Sequence, residues 1–277
     1  MEQQGKRTAR RVGLDTDKVA DKAVALTKEM GLQGWSVRDS AKRLDVVPSV
    51  LYHYYPTKED LAQAVTERVC ALIQQPDLTL DWKGWFFQLA VNARAVFLEY
   101  HGIAERLMMG RFSANLTPVL DIGIAKLKAA GFGELAPFAY SMLTNVAVAS
   151  IAGRDRQSPK EQRWRHDMEA MLERLAPLAQ HSGGMECLIS GFLAPLTASE
   201  TSQQVSDRYF ALIMTALIEG IERTMLPHPE ATMSPGKAIP MSETATGDAT
   251  PSGDSGHIRD GIQAQGGSAC ERGCKNA

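Results

Sequence analysis

The chain predicts an all-α fold, and three observations carry that expectation. Apolar residues recur at helical spacing in nearly every segment between residues 14 and 226. No segment shows convincing strand alternation, and Ser, Thr or Asp stands where several of the helices would begin. The order of the elements predicts a compact three-helix unit near the N-terminus, containing a helix-turn-helix, followed by a larger helical domain.

Val19, Ala23, Leu26 and Met30 lie at i, i+4, i+7 and i+11, which predicts a helix over 16–30 that Gly31 stops. Trp35 follows the turn and is expected to pack beneath the unit that comes next. Ser36 and Asp39 have capping-box spacing, and Val37, Ala41 and Leu44 fall on one helical face. Ala41 is small where a second helix must cross closely. Asp45-Val46 breaks the pattern at a turn, and Asp tolerates left-handed backbone better than most residues. Pro48 suits the first turn of a helix because its missing amide proton is not needed there. The helix it opens is about two turns long, too short to be stable alone. Val50 or Leu51 faces inward, which leaves Ser49, Tyr52, His53 and Tyr54 outside. A short helix showing polar and aromatic side chains, propped by another helix, is what a major-groove reader requires.

Thr57 and Asp60 repeat the capping-box spacing and open a helix to about Gln74, with Leu61, Val65 and Leu72 inward and Gln75-Pro76 as its stop. Its first-turn amides and Lys58 suit a backbone phosphate. Asp81 caps a helix carrying Trp82, Trp85, Phe86, Leu89, Val96 and Phe97; His101-Gly102 interrupts it, and a short piece to about Met109 follows. Asn115 to Ala130 is the next helix, stopped by Gly131, and Leu135 to about Arg154 is another, rich in small residues. Ser158-Pro159 opens a charged amphipathic helix to about Ala179, whose apolar stripe is Trp164, Met168, Met171 and Leu175. Residues 181–198 start as a loop and are broken by Gly191 and Pro195. From about Thr201 to Met225, Phe210, Ile213, Leu217 and Ile221 form a stripe flanked by Tyr209, Met214 and Ile218, wider than one partner helix needs. Beyond residue 226 the composition turns to Pro, Gly, Ser and Thr, which cannot offset the entropy of ordering. The expected organisation is a basic flexible arm over 1–13, a helix-turn-helix domain over 14–60, a helical domain over 61–226 and a disordered tail over 227–277.

A net charge of −2 over 277 residues argues neither for nor against nucleic acid. Its distribution says more: Lys6, Arg7, Arg10 and Arg11 crowd the arm, where they suit phosphates or a minor groove. No apolar run is expected to reach the length of a membrane span, and the first residues lack the apolar core of a signal peptide. Cys70, Cys187, Cys270 and Cys274 show no disulfide-framework spacing, so the expected compartment is the cytoplasm. Cys270-x-x-x-Cys274 has only His257 nearby, too few ligands for structural zinc. No phosphate loop, dinucleotide fingerprint or nucleophile elbow appears, and neither enzyme activity nor a cofactor is expected.

The stretch from Ser36 to Leu61 resembles the helix-turn-helix of the TetR family of bacterial regulators. Ser36, Arg38, Ala41, Leu44, Val46, Leu51, Tyr52, Tyr54, Tyr55, Lys58 and Leu61 match its pattern. Asp45 departs from it at the usual turn glycine, and Val47 where a Ser or Thr cap is common, so this helix should start more weakly. The resemblance implies DNA contacts from Pro48, Ser49, Val50, Tyr52, His53, Tyr54 and Lys58, with Ser36 and Arg38 from the supporting helix. Ser36, His53, Tyr54 and Lys58 suit phosphate oxygens, Arg38 a guanine edge, and Ser49, Val50 and Tyr52 base edges or thymine methyls. Tyr55 is the tyrosine expected to pack inward.

A looser resemblance to the family's ligand-binding domain lies in Asp81-Trp82-x-x-Trp85, in Ala93-Arg94 with Leu98 and His101, and in Leu127-x-x-Ala130-Gly131-Phe132. Trp82, Trp85, Phe86, Leu89, Phe112, Met142, Asn145 and Trp164 have the character of a cavity lining for a small organic effector. Helices near 135–154 and 201–225 are expected to pair with their copies in a homodimer, and two-fold symmetry then implies a palindromic operator on double-stranded DNA. The expectation is a repressor released by its effector. An activator or protein-responsive regulator, or a helical binding protein or enzyme that no longer uses the module, remains the alternative.

Overall fold

Asp15 opens the first helix by accepting from the Lys18 amide, and α1 (Thr16–Met30) runs from there to Gly31. The computed structural model describes residues 14–156, 162–198 and 200–226, so the basic arm, the turn at Ser158-Pro159 and the tail lie outside the described residues. Every regular element among the described residues is helical. Helices α2 (Val37–Arg43) and α4 (Lys58–Cys70) each begin with a complete capping box, Ser36 with Asp39 and Thr57 with Asp60. Between them lies α3 (Pro48–Tyr54). Val19, Ala23 and Leu26 of α1 meet Trp35, Val37, Ala41, Leu51, Leu61 and Val65 in one core. Met30, the fourth member of the α1 stripe, is exposed at the helix end. Buried Thr27 is the added contact: its hydroxyl donates to the Ala23 carbonyl and accepts from the Trp35 indole at 2.9 Å. Leu72 is also exposed, because α4 stops at Cys70 and leaves Leu72 in the following turn. The expected domain boundary at residue 60 falls inside α4.

The larger half is built from α5 (Trp82–Glu99), α6 (Ile103–Met108), α7 (Thr117–Ala129), α8 (Ala136–Arg156), α9 (Gln162–Ala179), α10 (Gly183–Leu188), α11 (Ala194–Thr197) and α12 (Ser202–Met225). Residues 183–197 are helical where a broken segment is expected. Ser182 caps α10, a π-helical turn over Ile189–Leu193 absorbs Gly191, and Pro195 sits in the first turn of α11. The inward residues of α12 are Phe210, Met214, Ile218 and Ile221. Two basic side chains of α5 clamp that helix. Arg94, buried and lying over the Phe210 ring, donates to Asp207 and Ser206, and Lys83 pairs with Glu219 and Glu222. The stretch Gly133–Arg154 is long and apolar enough, by length and composition, to cross a bilayer, contrary to the reading of the sequence. Its alanines add to the contribution of Leu135, Phe138, Met142, Leu143, Val146, Val148 and Ile151, and α8 packs against α5, α6, α7 and α12.

The two halves also meet backbone to backbone. The Leu32 amide donates to the His101 carbonyl at 2.8 Å. Gly31 and Gly102 flank this contact at φ of 77° and 90°, and a Cβ on either would come within 3.3 and 3.2 Å of the other half.

Thr27→Val keeps the shape but leaves the buried indole N–H without its acceptor. It should cost about 1–3 kcal/mol in urea unfolding, and an unchanged midpoint would show that the bond contributes nothing.

Candidate functional site

Two regions concentrate unusual chemistry, the α2–α3 surface and a cavity in the larger half. At the first, the chain turns between helices at Asp45, the one non-glycine described residue with positive φ (54°), so Asp supplies the left-handed turn that the pattern gives to glycine. The Val46 amide closes the turn on the Ala41 carbonyl. Helix α3 starts at Val47 without a side-chain cap and with Pro48 in its first turn. Leu51, wholly buried, anchors it. Ser49, Tyr52 and His53 are exposed, Pro48 and Val50 are half-buried, and Arg38 is exposed on α2.

Several of these side chains are already engaged. Ser36 accepts from the Asp39 amide, while its hydroxyl and its own amide both donate to the Asp39 carboxylate and so hold that carboxyl below its usual range. Lys58 lies 5.3 Å above the Trp35 ring centroid, so the ring steers the ammonium. The Tyr54 hydroxyl donates to the Leu14 carbonyl at 2.8 Å, and Tyr55 donates to Thr16 at 3.1 Å. Both tyrosines therefore fasten the end of α3 to the start of α1. Burial pushes the Tyr55 phenol above its ordinary pKa, against the pull of nearby Arg68.

The second region is a cavity of about 480 Å³. Helix α5 contributes Phe86, Leu89, Ala90, Ala93 and Phe97, while α8 contributes Tyr140, Leu143, Thr144, Asn145, Ala147 and Ile151. Met214 of α12 and the stretch from Leu107 to Leu116, with Gly110 and Phe112, complete most of the wall. Of the lining expected from sequence, Phe86, Leu89, Phe112 and Asn145 are here. Trp82, Trp85 and Met142 are not. Trp82 is buried edge-on against Phe132, and Trp85, fully buried, meets Phe86 edge-on, so both are core. Met142 sits on the outer face of α8, 41% exposed. Trp164 lies in α9, and its side chain is outside the described residues. Tyr140, Phe97, Thr144 and Met214 line it in addition to the residues expected from sequence. Leu143, Ala147 and Ile151, at i, i+4 and i+8, are the periodic signal in the sequence that marks the inner face of α8.

The loop at the cavity wall is tied to α4. The Glu67 carboxylate accepts from the Ser113 hydroxyl at 2.6 Å, from the amides of Ala114 and Asn115, and from Gln63. Burial acts to raise the Glu67 pKa, but these hydrogen bonds outweigh it and hold the group below its usual value. Gln63 also donates to the Phe112 carbonyl. One turn earlier Glu59 receives both guanidinium nitrogens of buried Arg106, at 3.0 and 2.8 Å. Burial pushes the nearby Cys70 thiol up to about 11, so it is a packed thiol and not a nucleophile. No cluster of potential metal ligands occurs among the described residues.

These features define an all-α, two-domain protein with a helix-turn-helix at its N-terminus. Residues 19–65 match the family model described as bacterial regulatory proteins, tetR family. Solved structures share the fold. A TetR variant from Acinetobacter baumannii AYE in complex with minocycline is 21% identical, with a TM-score of 0.57 over 77% of this chain and 99% of that one. The Streptomyces coelicolor TetR family protein ActR in complex with actinorhodin is 20% identical, with a TM-score of 0.58 over 76% of this chain and 98% of that one. A possible TetR family transcriptional regulator from Streptomyces coelicolor is 23% identical, with a TM-score of 0.58 over 76% and 99%. No curated protein matches the sequence. Residues 19–65 thus resemble the helix-turn-helix region of tetR-family regulators, and the chain shares the overall fold of the solved structures.

Tyr52 is 48% exposed, and among the described residues no hydrogen bond uses its hydroxyl. Tyr52→Ala should therefore leave the thermal midpoint in place while weakening specific DNA binding by about 1–3 kcal/mol in gel shift. Unchanged affinity would remove this side chain from the contact surface.

Proposed function

We propose that the protein is a cytoplasmic transcriptional repressor, held as a homodimer on a palindromic operator and released by a small organic molecule in the cavity. The observation that carries this reading is the Glu67 junction. The same loop that lines the cavity, through Gly110, Phe112 and Leu116, is bonded to α4, and α4 packs on the α1 core of the reading unit. A molecule that displaces this loop must move Glu67 or break its bonds, and either outcome shifts the reading head. That gives the effector a differential interaction with two states, which is what coupling requires. That small molecules bind to proteins of this fold, minocycline and actinorhodin among them, supports an effector here.

On the DNA side, Ser49, Val50 and Tyr52 are assigned to base edges and thymine methyls, and Arg38 to a guanine. Pro48 closes in at the helix start, and His53 and Lys58 take phosphates. Ser36 and Tyr54 reach phosphates only with the oxygen valence that their internal bonds leave free. A domain division near α4, with the arm over 1–13 and the tail over 227–277 as appendages, belongs to the same proposal.

The dimer is assigned to α8 and α12, which pack on each other and leave an apolar outer face. Phe138 and Met142 stand one turn apart on α8 at 64% and 41% exposure, and Tyr209 and Leu212 are similarly bare on α12. A two-fold copy would cover both faces and set two α3 helices against successive major grooves.

The decisive experiment is sequencing of genomic fragments retained by the purified protein, with gel shifts on them as a function of salt and candidate effectors. The expected result is a palindromic fragment, bound by a dimer at micromolar concentration in sedimentation and released by a small molecule. Unselected fragments or a sedimenting monomer would contradict the proposal. Glu67→Gln loses part of the junction, and an effector that still binds should release DNA several-fold less effectively. Equal release by the variant would place the coupling elsewhere.

A further inference from the structure

We infer that the cavity takes an uncharged, largely hydrocarbon molecule with one hydrogen-bonding edge turned to α8, and that Gly123 sets the depth of the cavity. The inference rests on the effector reading above and narrows it to a chemical class.

Among the described lining residues there is no Asp, Glu, Lys, Arg or His. The titratable lining group is the Tyr140 phenol, and burial pushes it up to about 12, so it stays neutral at cellular pH. An ion entering here would lose its water and meet no opposite charge, a cost that a neutral molecule of equal shape does not bear. The polar groups are gathered on one helix. Tyr140 and Thr144 stand one turn apart on α8, with Asn145 beside them. Thr144 spends its donor on the Tyr140 carbonyl, at 2.9 Å. The Tyr140 hydroxyl and the Asn145 amide make no hydrogen bond among the described residues, so they remain for a carbonyl or hydroxyl of the occupant. Across from them Phe86, Leu89 and Phe97 of α5 present only carbon.

Gly123 of α7 stands behind this wall, buried. A Cβ there would lie 2.8 Å from the Tyr140 Cε2 and 3.0 Å from the Phe86 Cζ. Those two rings meet edge to face, 5.9 Å between centroids, and both line the cavity. With hydrogen at this position they sit back and leave the cavity open. With a methyl they must advance into the empty space. The fold tolerates that movement, because the rings have room on the cavity side, while the occupant loses volume.

The test uses the full chain and matched fluorescent probes: neutral N-phenyl-1-naphthylamine, its 8-sulfonate, and the planar cation ethidium. The neutral probe should bind saturably, and the two ions at least about 100-fold more weakly. Gly123→Ala should weaken the neutral probe about tenfold with an unchanged helical spectrum and thermal midpoint. In competition, Tyr140→Phe should weaken fluorenone by about 3–10-fold and leave fluorene, which lacks the carbonyl, unaffected. Preference for either ion would overturn the class and leave the effector reading standing. Failure of every probe to bind the unaltered protein would overturn both. An unaltered affinity in Gly123→Ala would remove the glycine's role, and equal effects of Tyr140→Phe on fluorenone and fluorene would remove the hydrogen-bonding edge.

Discussion

Helix α4 belongs to two packings at once, and the rest of the molecule depends on that double membership. Its apolar side, through Leu61, Val65 and Val69, is part of the core shared with α1. Its carboxylates reach the other way, Glu59 to Arg106 and Glu67 to the loop after α6. Charged acceptors suit this second task. A carboxylate that gathers several donors holds a loop at a defined distance, whereas apolar contact alone would let it slide. The backbone amides of Ala114 and Asn115 begin a short helical turn, so Glu67 acts as a cap supplied from a different helix.

Much of the reading unit was legible in the sequence because its signals are local. Ser36 with Asp39, Thr57 with Asp60, and Pro48 at a helix start each depend on residues within one turn, and each is present in the fold. Asp45 in a left-handed turn is legible for the same reason. The partners of the tyrosines were not. Tyr54 and Tyr55 reach Leu14 and Thr16, 40 and 39 positions away, and no pattern around residue 54 encodes those carbonyls.

The cavity shows the limit more sharply. Trp82, Trp85, Phe86 and Leu89 share the apolar stretch of one helix, and size alone does not separate those that fill the core from those that line a space. Rotation of α5 decides it, placing Trp85 against the body of the protein and Phe86 at the opening. On α8 the small residues Ala147 and Ala149 are cavity wall, where a short side chain makes room. The void exists because several helices each withhold volume at one level, a property of the assembly that no single segment carries.

The backbone joint between Leu32 and His101 bears on how such regulators can be recombined. Two glycines from distant parts of the chain interlock there, and neither tolerates a side chain without pushing the opposite corner away. A head transplanted from another protein of this fold would bring its own first corner against this body's second. The graft would keep its bearing only if both corners were matched, which makes Gly31 and Gly102 a single inherited unit despite the distance between them in the chain.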